Sequence, residues 1–329
     1  MKDKLQSISI KEMLFRVAPL LTLILLSIYL SIVSDNFLKI DNIMNIMRQA
    51  STIALIAVGM LMVIITAGID LSVGPIMALS MCTMGIAMRS GGVTNAFVLI
   101  LICLLVGSGM GMVNGLLLTR LHLPHPFIST IGTRNISRGI ALIITSAAPV
   151  IGFPKAVEMP GSGDIQGFPI SFLIVIIVYI IVHLFLNNTV LGREIYSIGG
   201  NKEAALLSGI NVKNVLTFVY TFSGFMAACA GIVFVGRVGG ALPLAGQTAD
   251  LDAIAAVIIG GASFFGGKGT VWGTLIGVLL ISVIRNGLNL LSASSDLQFV
   301  VIGGVIIVAV FVDVIRTKVE ERARRMAKA

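Results

Sequence analysis

The residue types that most often do chemistry are few in this chain, and their spacing matches no catalytic or metal site. His122 and His125 share a loop-like segment, LHLPHPF, with no carboxylate cluster beside it, and His183 stands alone in an apolar run. The cysteines also lie in apolar runs, where neither a metal spacing nor a disulfide framework can be read: Cys82, Cys103 and Cys229. We interpret them as small packing residues and assign no catalytic residue and no metal ligand.

A glycine-rich segment, GGASFFGGKGT at residues 260–270, superficially resembles a phosphate-binding loop. That loop requires a glycine five positions before the Gly-Lys pair and a Ser or Thr directly after the lysine. Here residue 262 is Ala, and Lys268 is followed by Gly269. The sequence therefore predicts no nucleotide-hydrolysis site and no cofactor in this chain. Any function of this chain that needs energy must therefore draw it from an ion gradient or from another subunit.

Three acidic residues lie beside apolar runs. Asp70, in GIDLSVGP, is either a helix-start cap that competes with Ser72 or part of a helix break that lines a pathway, since irregular backbone at membrane depth must be buried or face a cavity. Asp250 and Asp252 begin an apolar run, where the helix dipole favours negative charge. Ion-coupled carriers keep ionisable residues deep in their spans, and we read the span interiors here as nearly free of them.

Other polar residues lie near predicted span ends. Arg134 and Arg138 share one helix face, and we interpret them as anchors on the cytoplasmic side. Arg285 lies near an outer end, with Asn286 and Asn289, where these side chains either meet a polar solute or reach to the interface. We take as candidate pathway residues Asp70, Ser72, Asn114, Phe127, Asn286 and Asn289.

These side chains must be positioned by membrane-spanning helices. Hydrophobic residues make up 57% of the chain and charged residues 12%, with a mean hydropathy of +1.03, whereas a soluble domain carries about 25% charged residues. We predict an all-α integral membrane protein, formed by one transmembrane domain over residues 1–329. Its ten spans lie near residues 17–33, 51–67, 75–88, 96–119, 132–148, 169–186, 214–236, 250–266, 271–290 and 297–313.

The net charge of +8 comes with basic residues at both ends of the chain. Basic flanks stay on the cytoplasmic side, so we expect both termini there, including a basic tail at residues 314–329. We expect contact with membrane lipid and no nucleic-acid partner, because no aromatic residues lie among these charges to stack bases. Segment 149–169 falls on the outer side. Residues 36–49 predict a separate amphipathic helix in the outer interface, capped by Asp41.

The longest polar segment between spans is LGREIYSIGGNKEAALLSGINV at residues 191–212. It predicts a short helix that begins after Asn201 and ends at Gly209. Two helical turns alone are marginal in water, so packing must hold this helix. We interpret the segment as a cytoplasmic docking surface for a soluble partner. A bulky charged residue at Ala205 is expected to uncouple that partner without disturbing the fold.

Two glycine ladders have a spacing of four residues, which places small side chains on one helix face and lets helices approach closely. One is formed by Gly107, Gly111 and Gly115, and the other by Gly269, Gly273 and Gly277. We interpret both ladders as helix-packing surfaces.

Four motifs carry a resemblance that runs over nearly the whole chain: AGIDLSVGPIMAL at 67–79, NGLLLTRLHLPHPFISTIGT at 114–133, the polar segment at 191–212, and LDAIAAVIIGGASFFGGKGTVWGTLIG at 251–277. With them the chain resembles the membrane permease subunits of bacterial ABC importers for monosaccharides, of the ribose, xylose and galactose type. It departs from the pattern at His125, where the family commonly has Pro, and at Arg134 and Asn135, where apolar or small residues are more usual.

The resemblance implies a type II-like importer permease in the bacterial inner membrane, which forms one half of a pore with a copy of itself or a close relative. It also implies cytoplasmic ATP-binding subunits, which bind ATP and Mg, and a periplasmic or lipid-anchored sugar-binding protein. The coupling segment then falls on residues 191–213, with ATPase contacts at Arg193, Asn201, Lys202, Glu203, Ala204, Ala205, Ser208 and Gly209. The alternatives are an ion-coupled secondary carrier and an ABC permease for branched-chain amino acids.

Overall fold

The computed structural model describes residues 10–121, 123 and 125–326, so His122 and the first nine residues lie outside the described part. The described chain is mostly helical, and a few two-residue strands pair within the segments that connect the helices. The helices are α1 (Ile10–Val33), α2 (Ile40–Ile65), α3 (Val73–Arg89), α4 (Ala96–Thr119), α5 (Pro126–Thr145), α6 (Lys155–Ser162), α7 (Ile170–Asn188), α8 (Val190–Gly200), α9 (Lys202–Leu207), α10 (Val212–Val238), α11 (Ala249–Ile259), α12 (Val271–Leu290) and α13 (Ser295–Met326).

The core of the bundle is formed by α2 and α10. Every residue of α2 from Ala50 to Ile65 is buried, and α10 packs against α2, α3, α4 and α6. The outer helices expose large apolar side chains instead, as at Ile32 of α1 and Ile307 of α13. This is the inverse of a soluble protein's surface, and it suits a lipid environment.

Each predicted span coincides with a helix, but the helices differ in length and polarity. Among the described residues, six helices are long and apolar enough to cross a membrane: α2, α4, α7, α10, α12 and the Asp296–Ile315 part of α13. The Val17–Val33 part of α1 and the whole of α3 are apolar but shorter. The backbone of α13 stays helical to Met326, within the segment predicted as a basic tail.

The prediction of a separate interfacial helix at residues 36–49 is wrong. No helix breaker separates this segment from the following span, and α2 runs unbroken from Ile40. Its N-cap is Lys39, so Asp41 lies in the first turn and is not the cap. The apolar face of the segment packs inside the protein, where Phe37 and Ile46 contact the side chains of Leu30 and Val283.

The prediction of a span over residues 250–266 is also wrong in extent, because α11 ends at Ile259. Gly260 follows as its C-cap, and Gly261, Gly266 and Gly267 all have positive φ, which a continuing helix does not permit. Residues 260–270 are therefore a loop, and α11 is a half-length helix.

A descending segment, residues 242–248, precedes α11 and runs into the depth of the bundle. It follows β4 (Gly240–Ala241), which pairs with β1 (Val150–Ile151). Val150 of β1 lies against Gly85 near the end of α3. It reaches Gly246, whose backbone lies against Gly74 at the start of α3. Gly85 lies eleven positions after Gly74 in α3, so at 1.5 Å per helical residue the segment descends about 16 Å.

The predicted outer segment, residues 149–169, holds β1, α6 and a hairpin of β2 (Asp164–Ile165) and β3 (Phe168–Pro169). Arg48 of α2 forms an ion pair with Asp164 at 2.6 Å. Gly161 of α6 sits against the backbone of α10 near Gly236, where a Cβ atom would lie 2.0 Å from the Val233 carbonyl oxygen. This segment therefore packs over the end of the bundle opposite α9.

Candidate coupling segment and translocation site

Within the candidate coupling segment, residues 191–213, the short helix predicted between Asn201 and Gly209 is present as α9, and α8 precedes it. The Asn201 side-chain oxygen accepts a hydrogen bond from the Ala204 backbone amide at 2.9 Å and caps α9. Gly209 ends the helix with φ +85°, a conformation that favours glycine. The Ile210 amide then donates to the Ala205 carbonyl at 3.1 Å. Cap and stop residues are local signals, which is why the sequence alone was sufficient to predict them.

The segment is held on its own chain by close contacts at α8. Gly199 lies so near the end of α2 that a Cβ atom would be 1.7 Å from the Ile65 carbonyl oxygen. The Tyr196 hydroxyl donates to the Gly269 carbonyl oxygen at 2.8 Å, and burial raises the pKa of Tyr196. These contacts tie α8 to the end of α2 and to the loop before α12.

The outward side of α9 carries two exposed leucines. Leu206 is 64% exposed and Leu207 is 89% exposed. Around them most of the predicted coupling residues are also exposed: Arg193, Asn201, Lys202, Glu203, Ala204, Ser208 and Gly209. The two adjacent leucines form a small apolar patch within this polar and charged surface.

Ala205 is different from the other predicted coupling residues. It is 4% exposed and belongs to the main apolar core of its own chain. The expectation that a bulky charged residue is tolerated there is wrong, because the change would force a charge into packed apolar surroundings. The residues that sequence analysis missed are Leu206 and Leu207, which a helical projection of the six-residue helix would have placed away from Ala205.

Three candidate pathway residues lie together in a buried hydrogen-bond network. One Asp70 carboxylate oxygen accepts from the Ser72 amide at 3.0 Å and from the Ser72 hydroxyl at 2.5 Å, and the other accepts from the Ser223 hydroxyl of α10 at 2.9 Å. Asn114 of α4 donates to the Ser72 hydroxyl at 2.7 Å and accepts from Thr133 of α5 at 2.5 Å. The network joins the turn after α2 to α4, α5 and α10.

Neither Asp70 nor Ser72 acts as a side-chain cap of α3. The N-cap is Ser72, but it makes no side-chain cap hydrogen bond, and Asp70 bonds the amide of Ser72 outside the helix. Both side chains are fully buried, so the network faces no open cavity in a single chain.

The remaining candidate pathway residues are not brought to this network. Asn286 exchanges two side-chain hydrogen bonds with Asn42 of α2, at 2.7 and 3.0 Å. Asn289 accepts from Gln298 of α13 at 2.8 Å. Phe127 is 44% exposed in the first turn of α5, which His125 caps by accepting from the Phe127 amide at 3.2 Å. The two asparagines join α12 to neighbouring helices, and their place in a pathway stays a prediction.

Two partly buried ion pairs at the start of α11 were missed. Arg134 contacts Asp250, and Arg285 contacts Asp252 at 2.7 Å. Asp250 and Asp252 do stand in the first turn of α11, as the helix-dipole argument predicts. Their spacing gave no sign of a partner, because both arginines come from distant parts of the sequence.

The interpretation of Arg134 and Arg138 as cytoplasmic anchors is wrong. Both lie in the middle of α5 and point at the descending segment: Arg134 donates to the Gln247 carbonyl oxygen at 3.4 Å, and Arg138 donates to that of Pro243. Arg285 is likewise bound to Asp252 and does not reach for the interface. The span interiors therefore hold more ionisable groups than the sequence suggested.

The glycines of the two ladders lie at close backbone contacts. A Cβ atom on Gly111 would be 2.3 Å from the Tyr220 carbonyl oxygen, and Gly107 and Gly115 also lie against α10. A Cβ atom on Gly277 would be 1.9 Å from the Ala256 carbonyl oxygen of α11. Gly273 lies against the backbone of Gly260. The ladder prediction is wrong for Gly269, because α12 begins only at Val271 and Gly269 lies in the preceding loop, against the Leu61 side chain.

Comparison with known proteins identifies the class. Residues 42–310 match the family described as branched-chain amino acid transport system / permease component. The ribose import permease of Haemophilus influenzae is 40% identical over 95% of this chain and 97% of its own length. The D-allose transport system permease of Escherichia coli K12 is 42% identical over 88% of both chains. The fructose import permease of Rhizobium meliloti is 36% identical over 90% of this chain and 84% of its own. No solved structure matches significantly.

The helical bundle and these matches define a multi-pass membrane permease. More particularly, the chain belongs to the family of ABC importer permease subunits. It is thus a transport component and not an enzyme, and ATP hydrolysis belongs to a separate subunit of such importers. The ion-coupled carrier is set aside by this membership.

Proposed function

We propose that this chain imports a monosaccharide or a sugar-like solute through the bacterial inner membrane, as the permease half of an ATP-driven importer. The family supports ATP-binding subunits and a substrate-binding protein as partners. Relatives named for ribose, allose and fructose import support a sugar. The proposal places α9 and both termini on the cytoplasmic side, and it makes residues 191–213 the site where the ATPase docks.

The observation that carries this proposal is the exposed leucine pair on α9. Leu206 and Leu207 stand out from a helix whose other side, at Ala205, is packed into the permease core. Behind it, α8 is fixed to α2 through Gly199 and Ile65. A push on the leucines would therefore be transmitted to α2, which continues into the turn that holds Asp70.

The second permease subunit is proposed to cover one face of α5. The side of α5 toward α3 is polar and buried, with Ser129, Thr133 and Ser137, whereas the opposite side is exposed. That exposed side carries Ile136, at 55% exposed, and the open glycines Gly132 and Gly139. Asn135 is exposed on it in the middle of the helix, where contact with lipid would leave its amide without partners.

The solute pathway is proposed to run between the two subunits along this face of α5. The descending segment lies beside it, and irregular backbone at membrane depth is tolerated where it is buried in protein or lines a water-filled cavity. Leu244 and Gln247 of that segment are exposed. Phe127 lies in the first turn of α5. The buried Asp70 network contacts α5 through Thr133.

The test is co-purification of the ATP-binding subunits with the permease in detergent. The Leu207→Asp variant is expected to lose at least about tenfold of the bound ATPase, because a carboxylate would enter an apolar contact. Leu38→Asp is the matched control, since Leu38 is 64% exposed at the opposite end of α2. ATPase binding that is equal in both variants would remove the docking assignment.

A further inference from the structure

The cluster where α5 meets the descending segment has an unbalanced charge. It contains two guanidinium groups, Arg134 and Arg138, one turn apart on α5, and one carboxylate, that of Asp250, which forms an ion pair with Arg134. The neighbouring Asp252 is already paired with Arg285. Within the described part of the chain, no carboxylate lies within ion-pair distance of Arg138, which donates a hydrogen bond to the carbonyl oxygen of Pro243. The cluster therefore carries one net positive charge.

The place of this charge makes it informative. Both arginines lie in the middle of α5, and the Arg134 side chain is 30% exposed at the edge of the face proposed to line the pathway. A cation without a counter-ion at membrane depth is costly. That cost falls when the site meets water or an anion, and a guanidinium is suited to bind a carboxylate through two parallel hydrogen bonds.

We propose that Arg138, together with Arg134, binds the carboxylate of an acidic sugar, an aldonate or a uronate, as the solute passes α5. The exposed Gln247 and Asn135 beside the arginines supply amide donors and acceptors for the hydroxyl groups of the solute. This inference rests on the proposed import function and narrows its solute from sugars in general to sugar acids.

The test is a set of titrations with the purified full chain in lipid nanodiscs, with dissociation constants measured by calorimetry. The probes are matched pairs, D-ribonate against D-ribose and D-gluconate against D-glucose, which differ in the carboxylate. At least one acid is expected to bind about tenfold more tightly than its parent sugar, and more weakly as sodium chloride is raised, because the contact is a charge-assisted one. Equal affinities within both pairs would overturn the proposal.

Two variants identify the arginine. Arg138→Gln keeps an amide donor for the Pro243 carbonyl oxygen but removes the charge, so it is expected to abolish the preference for the acid. Arg138→Lys keeps the charge and is expected to retain most of the preference for the acid. A preference that survives in Arg138→Gln would place the anion elsewhere and overturn the assignment. So would a loss of the permease dimer in Arg138→Gln without any ligand effect, because Arg138 would then pair with the second subunit.

Failure of this inference can be told apart from failure of the import function. ATP-driven uptake of a neutral sugar by the complete transporter, with no preference for acids in nanodiscs, would leave the import function standing and overturn the acidic solute. Binding of an acid that depends on Arg138, without ATP-driven uptake of any probe, would support the anion site and overturn the import function.

Discussion

Asp70 shows how one buried carboxylate can fix the relation of several helices. Its two oxygens accept hydrogen bonds from Ser72 and from Ser223 of α10. The Ser72 hydroxyl in turn accepts a hydrogen bond from Asn114 of α4. Each of these groups is shielded from water, so each depends on the others for its hydrogen bonds. The sequence pointed to Asp70 and Ser72 through an irregular polar segment between apolar runs. It gave no sign of Ser223, which lies 153 residues away.

Replacing Asp70 with Ala is expected to destabilise the protein, because two hydroxyls and an amide would be left without their acceptor. The loss is about 1–3 kcal/mol for each buried polar group that stays unpaired, and it should appear as a lower thermal unfolding temperature in detergent. Ser223→Ala removes one of these hydrogen bonds and should lower that temperature less. Equal stability of the Asp70→Ala variant and the wild type would show that the network contributes nothing to folding.

The Asp252–Arg285 ion pair leads to a second prediction. Arg285→Gln would leave a buried carboxylate without its cation, which costs about 3–5 kcal/mol when a buried pair is broken from one side. The double variant Asp252→Asn/Arg285→Gln removes both charges and should recover much of the lost thermal stability. If the double variant is as unstable as the sum of the two single variants, the two residues do not act as a pair.

Among the elements, the contact between α4 and α10 depends on glycine. Gly107, Gly111 and Gly115 line the side of α4 that meets α10, where Gly224 faces the first two and Thr217 faces the third. The four-residue spacing predicts that these glycines share a face, which is a local property of a helix. The spacing cannot name the facing helix, because that depends on how distant parts of the chain pack.

Gly111→Ala is expected to reduce folded yield and thermal stability, since its Cβ atom would lie 2.3 Å from the Tyr220 carbonyl oxygen and the backbones would have to separate. Gly109→Ala is the matched control, because it lies on the same helix with nothing within 4 Å of the added atom. The control should be neutral or slightly stabilising, as Ala is the better helix former. Similar losses in both variants would contradict a specific α4–α10 contact.

The helix α9 depends in turn on its cap. Asn201→Ala removes the side-chain oxygen that binds the Ala204 amide, a loss of about 1 kcal/mol for a typical N-cap. Hydrogen exchange at the Ala204 amide should then be about fivefold faster, while exchange in α10 stays unchanged. Asn201→Ser retains a capping oxygen and should stay close to the wild type. Unchanged exchange in Asn201→Ala would show that packing alone holds α9.

At the scale of the whole molecule, hydropathy was sufficient to predict an all-α membrane protein and the approximate place of each long helix. It failed at the descending segment, where residues 242–248 enter the bundle and α11 spans only part of its depth. A run of apolar residues such as 251–259 looks the same whether it crosses the membrane or only part of it. The glycines after Ile259 are visible in the sequence. Their positive φ values, which end the helix, are a property of the folded chain.

The same failure affected the reasoning about energy coupling. The spans were taken as nearly free of ionisable residues, and this counted against an ion-coupled carrier. The structure buries Asp70, Asp250 and Asp252 inside the bundle. The number of buried charges therefore does not distinguish an ion-coupled carrier from an ABC importer permease. Membership in the ABC permease family does.

The most direct test of the import function is solute accumulation in proteoliposomes, with labelled ribose, allose and fructose and the acids ribonate and gluconate as probes. Vesicles that contain the permease with its ATP-binding subunits and binding protein are expected to accumulate at least one probe when ATP is present on the side of the ATPase. Vesicles that contain the permease alone, under a proton or sodium gradient, should accumulate none. Accumulation by the permease alone under such a gradient would contradict an ATP-driven importer.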